Sequence, residues 1–264
     1  MQWAKISKLN KRQKIVVVSV LLTIGLLSTE NITFQFLRYR FIIGLAIASY
    51  FLSLWALSEG MTKIKALTLL ILPALFTLGV ASFYFLLPIR WLTRLPVAFI
   101  FGASYYSLLL SENVFNVASE RTIPLYRAAS TVSFLFTLVT AFFLFNVLFT
   151  FKLSFYSNAL FSFIISLPLI VQMLWSVEME KITTQVLIYS FIISLLIGEL
   201  SLVFSFWPIT PTLWSLNLST LLYILMGLVT NALNLKLTKR LVFEYLGVGG
   251  LVFLFTLLTT SWNG

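Results

Sequence analysis

Apolar runs of about 18 residues or more recur along the whole chain, each closed by a charged or proline-marked break. At a rise of roughly 1.5 Å per residue, a helix of that length crosses a hydrocarbon layer of about 30 Å. Such a chain cannot wrap its apolar surface in a polar coat. With 60% apolar and only 10% charged residues among 264, and a mean hydropathy of +1.01, too few polar side chains remain to cover a water-soluble domain. The runs are continuous, whereas barrel strands are short and alternating, and in lipid only helices and closed barrels satisfy their own backbone. The sequence therefore predicts an all-α fold, a polytopic transmembrane helical bundle forming a single integral membrane domain with no soluble domain.

Nine spans are expected, near residues 15–35, 41–58, 64–87, 95–111, 128–151, 157–176, 182–207, 212–235 and 241–261. The first is the weakest, because its fully apolar part, IVVVSVLLTIGLLS, reaches only about 21 Å as a helix. It follows Lys5, Lys8, Lys11, Arg12 and Lys14, as a secretory signal does, but its end, LLSTENI, has no small-x-small cleavage pattern. It is expected to stay as an uncleaved anchor.

Charge sets the orientation. With the N-terminus cytoplasmic, the inner segments hold those five residues plus Lys63, Lys65, Arg121, Arg127, Lys181, Lys236, Lys239 and Arg240, thirteen of the 18 basic residues. The outer segments hold Arg38, Arg40, Arg90, Arg94 and Lys152. That asymmetry follows the positive-inside rule and predicts a cytoplasmic-type cell membrane, with the bilayer as first partner and other membrane subunits as further ones. No basic domain stands outside the apolar runs, so the net charge of +10 gives no reason to expect a nucleic acid. Trp91, Trp175, Trp207, Trp214 and Trp262 fall at span ends, where interfacial indoles are expected.

The chain has no Cys and no His, and all eight acidic residues are Glu. Disulfides, thiolate chemistry, histidine metal sites and Ser-His-Asp triads are therefore excluded, and neither a cofactor nor a metal is expected. Aspartate-rich motifs that chelate magnesium beside a diphosphate are excluded as well.

The most polar stretch, SENVFNVASERTIPLYR at 111–127, lies between two of the apolar runs. On a helical projection Glu112, Asn116 and Glu120 fall on one side and Val114, Phe115, Val117 and Ala118 on the other, with Pro124 as a stop. The pattern predicts a short cytoplasmic helix lying in the interface with its polar face solvated. A cation- or partner-binding stripe is the sharper alternative.

Two candidate sites remain. Glu199, in LLIGELSLVF, is the one ionisable residue well inside a span, about 12 Å from Trp207 along the helix axis. An acid at that depth needs a partner or a wet cavity, which makes it a substrate or ion site candidate, with Tyr105, Tyr106, Thr140 and Thr220 at comparable depth. Beside it Ser190, Ser194, Gly198, Ser201 and Ser205 form a small-residue stripe of the kind that lets helices approach. The second candidate is an outer-face phosphate site, with Glu30 as base and the guanidinium forks of Arg38, Arg40, Arg90 and Arg94 gripping phosphate oxygens. The first suits a permease or a subunit of a membrane assembly. The second suits an enzyme acting on a lipid-linked phosphate, and the non-enzymatic reading is the one expected.

Overall fold

The structure, a computed structural model, describes residues 10–29, 35–88, 90–117, 123–178 and 182–260, with the backbone alone at 35, 36, 123, 124 and 178. Among the described residues there is no strand. Ten helices follow in order: α1 Lys11–Ser28, α2 Gln35–Ala56, α3 Lys63–Leu69, α4 Ile71–Tyr84, α5 Trp91–Val117, α6 Ile123–Thr150, α7 Phe155–Glu178, α8 Thr184–Phe204, α9 Pro211–Leu233 and α10 Lys239–Thr259. Among the described residues eight segments are long and apolar enough to cross a membrane: α2, α3 with α4, and α5 to α10 each alone. The first expected span, α1, is not among them, because its 18 residues include Lys11, Arg12 and Lys14 in the opening turn.

Threonine sets most of the described starts. Thr62, Thr183, Thr210 and Thr238 each accept a backbone N–H from the first turn of α3, α8, α9 and α10, satisfying a donor that the helix leaves orphaned. Pro211 follows Thr210 at the first helical position, where its missing N–H removes nothing. The run expected at 64–87 is interrupted at Leu70, between α3 and α4. Pro73 has no N–H to give the carbonyl four residues back, so one helical bond is missing where the two pieces join.

The chain divides into two compact units, one ending at Phe136 and the other beginning at Thr137, inside α6. In the first unit α1 packs on α2 and α5, and α2 on α4. The approach of α1 is close: a Cβ on Gly25 would stand 2.6 Å from Leu45 Cδ1, and one on Gly102 would stand 2.5 Å from Thr23 Oγ1. An aromatic core joins α4, α5 and α6, with Phe76 stacked on Phe101 at 5.8 Å and edge-on to Phe136 at 5.4 Å.

In the second unit the small-residue stripe is a seam. Ser190, Ser194, Gly198 and Ser201 are buried, Ser201 bonds Ser162 of α7 at 2.9 Å, and Ser205 receives the Asn158 amide at 3.0 Å. Asn146 of α6 donates to Ser215 of α9 at 3.4 Å, and Asn217 of α9 donates to Thr256 of α10 at 2.7 Å. In a water-free layer such amide and hydroxyl pairs hold helices whose apolar faces gain nothing by leaving lipid. Two tryptophans expected at the interface are instead core residues. Trp175 and Trp214 are fully buried, and Trp214 stacks on Phe149 at 4.5 Å, its apolar area outweighing its preference for a headgroup.

The turn after α9 carries a local cost. Leu235 has φ +55, its N–H bonds Ala232 O, and the Lys236 N–H bonds Asn231 O, which together make a Schellman motif with leucine in glycine's place. The side chain is 94% exposed and holds nothing in return. Leu235→Gly is expected to raise stability by about 1 kcal/mol, read as a higher midpoint in SDS-titrated unfolding.

Candidate functional site

One end of the first unit gathers most of its polar chemistry. The α2–α3 connection turns at Gly60, whose φ of +78 suits a residue without Cβ, and presents the Leu57 and Glu59 carbonyls toward the last turn of α5. The Asn116 side-chain amide donates to both, at 3.0 and 2.9 Å, and the backbone carbonyl of Asn116 accepts from the Lys65 ammonium at 2.8 Å. Lys14 of α1 reaches the Glu59 carboxylate at 3.4 Å and lies 5.8 Å from the centre of the Trp55 ring. One turn back along α5, the fully buried Glu112 carboxylate accepts the Ser133 hydroxyl of α6 at 3.4 Å. Asn116 thus ties the end of α5 to the turn after α2, and Lys14 ties α1 to that same turn.

These distances correct the expectation of a separate surface helix. α5 continues unbroken to Val117, and Glu112 and Asn116 are buried in it. The polar side of the amphipathic pattern meets two carbonyls of the α2–α3 turn and the Ser133 hydroxyl of α6, so partners inside the unit replace water. Glu120 lies outside the described residues. Glu59, the acceptor for Lys14, carried no sequence signal of its own; a lone acid among basic residues on one side of the spans was the available clue.

At the opposite end of the unit two of the arginines of the expected phosphate site, Arg38 and Arg94, meet the C-terminus of α4. The Arg38 guanidinium sits 5.3 Å from the Phe85 ring centre, and that of Arg94, only 3% exposed, sits 5.2 Å from the Tyr84 ring centre. A cation there meets both an aromatic face and the negative end of a helix. Arg90 is exposed, Arg40 borders a shallow apolar groove with Phe41, Gly44 and Ala48, and Glu30 lies outside the described residues. Two of the four candidate arginines are thus brought to one helix end.

Tyr105 and Tyr106 diverge. The Tyr105 hydroxyl is fully buried between α5 and α2, 2.7 Å from Ser53 Oγ and donating to Ser49 O at 3.3 Å. Tyr106 borders an open groove of about 370 Å³ between α1 and α5, whose walls are Val16, Val20, Ile24 and Phe99 with hardly a polar atom.

Glu199 lies on the exposed side of α8, away from the seam with α7. On the same side of α8, Ile188, Ile192, Leu195 and Val203 are exposed too. Among the described residues no hydrogen bond or ion pair reaches its carboxyl. Nor do three acidic or other metal-ligating side chains cluster anywhere among them.

No curated protein and no solved structure matches the chain. Residues 54–259 match the family described as a protein of unknown function, DUF5656, and the chain belongs to that family.

Proposed function

We propose that the protein is a non-enzymatic subunit of a membrane assembly. In this reading it crosses a cytoplasmic-type membrane nine times with its N-terminus inside. The observation that carries the assembly is Glu199. A carboxyl on a lipid-facing helix side, several residues inside the span, costs on the order of 2.5 kcal/mol near the membrane centre if nothing covers it. Its short stem cannot climb to the headgroups as lysine or arginine stems do. Contact with another chain removes that penalty.

The ninth crossing rests on α1. Its N-terminal Lys14 meets the turn after α2, while Gly25, eleven residues on, meets Leu45 in the middle of α2. The helix therefore runs antiparallel to a span, and at roughly 1.5 Å per residue its 18 residues cover about 27 Å. Basic residues at its start then stay with those of the α2–α3 turn on the inner face.

The test is the particle mass after gentle extraction into lipid nanodiscs. The wild-type chain is expected to run as a particle heavier than one 30.0 kDa polypeptide, whatever the partner, and Glu199→Leu as a single chain. A wild-type particle holding one chain and nothing else sinks the proposal.

A further inference from the structure

We infer that the exposed side of α8 is where a second copy of this chain docks, the two Glu199 carboxyls hydrogen-bonding each other across a two-fold axis normal to the membrane. The inference rests on the assembly reading above and names its partner. Ile188, Ile192, Leu195, Glu199 and Leu202 are spaced four, three, four and three residues apart, the seven-residue period of a helix seam. The first four are exposed and Leu202 is half-exposed, so the seam is complete but uncovered. It is distinct from the serine and glycine seam, which α7 already fills.

The chemistry favours a copy over a foreign helix. A two-fold axis along the bilayer normal brings each residue to the same depth as its mate, so the depth match is automatic. A carboxylic acid carries one donor and one free acceptor oxygen, which makes it complementary to itself. The alternative is a partner with a lysine or arginine at that depth, and the unit that carries α8 offers none there, since its described basic residues, Lys152, Lys236, Lys239 and Arg240, lie in connections or at the start of α10. One polar residue in an otherwise apolar seam also fixes register.

The absence of cysteine lets single cysteines report the contact. Ile192→Cys and Leu195→Cys, oxidised in membranes, are expected to form disulfide-linked dimers about tenfold above Ser194→Cys, whose position faces α7. Adding Glu199→Leu is expected to abolish the cross-link. Glu199→Gln is expected to keep it, because an amide also both donates and accepts. The inference is overturned if Leu195→Cys links no better than Ser194→Cys, or if Glu199→Leu leaves the link intact. Absent links with a nanodisc mass that still falls on Glu199→Leu would mean that another protein covers Glu199. The copy is then wrong and the assembly stands. A single-chain mass for the wild type removes both.

Discussion

Asn116→Leu is expected to cost about 3 kcal/mol of stability, because it leaves the Leu57 and Glu59 carbonyls without their donor inside a closed helix end. An orphaned buried acceptor loses roughly 1–3 kcal/mol, and the Glu59 carbonyl, nearer the surface, recovers part of that from water. SDS-titrated unfolding reads the change as a lower midpoint, and the α5 end should become accessible to protease first. Were Asn116 on a solvated interfacial helix, the same substitution would stay within about 0.5 kcal/mol, as exposed changes do. The measurement therefore separates the buried tie from the surface stripe that the sequence suggested.

Arg94→Glu is the second large effect. The wild-type guanidinium faces the Tyr84 ring at the negative end of α4. Removing it forfeits a desolvated cation–π contact of about 2 kcal/mol. The acid that replaces it meets the same helix end with the wrong sign, a further 1–2 kcal/mol or so, and is buried where water cannot repair the loss. A total on the order of 4 kcal/mol approaches the whole stability of a typical domain, so little monodisperse protein should be extractable. Arg90→Glu, on an exposed side chain, is expected to yield protein like wild type. A stable Arg94→Glu protein that has lost affinity for phospholipid would instead favour the outer phosphate site.

Much of this architecture was legible because lipid imposes simple rules. Run length located the eight segments that can cross, and the spacing of Ser190, Ser194, Gly198 and Ser201 marked the α7–α8 seam, since close helices need small side chains at their contact. That stripe also placed Glu199 on another side of α8, which is where it lies. Other features were hidden for physical reasons. Polarity at Glu112 and Asn116 looked the same whether water, the Ser133 hydroxyl or the turn after α2 satisfied it, and a single sequence does not say which. The interruption at Leu70 was masked by an unbroken apolar run, although Pro73 supplied its cause. Trp175 and Trp214 sit near span ends by count, but which side of the helix they occupy decides between headgroup and core. A first span weighted by three cations fell between an anchor and a crossing on composition alone, and only the packing of α1 against α2 favours the crossing.

The depth of Glu199, the side on which each loop emerges and the direction of the α8 seam all rest on the proposed nine crossings with the N-terminus inside. Because the chain lacks cysteine, Asn10→Cys, Ser58→Cys, Leu153→Cys and Thr259→Cys, all at exposed positions, can each be probed with a membrane-impermeant maleimide on intact cells. Labelling is expected at 153 and 259, with protection at 10 and 58 until the cells are opened. Labelling of positions 10 and 259 from the same side would contradict nine crossings.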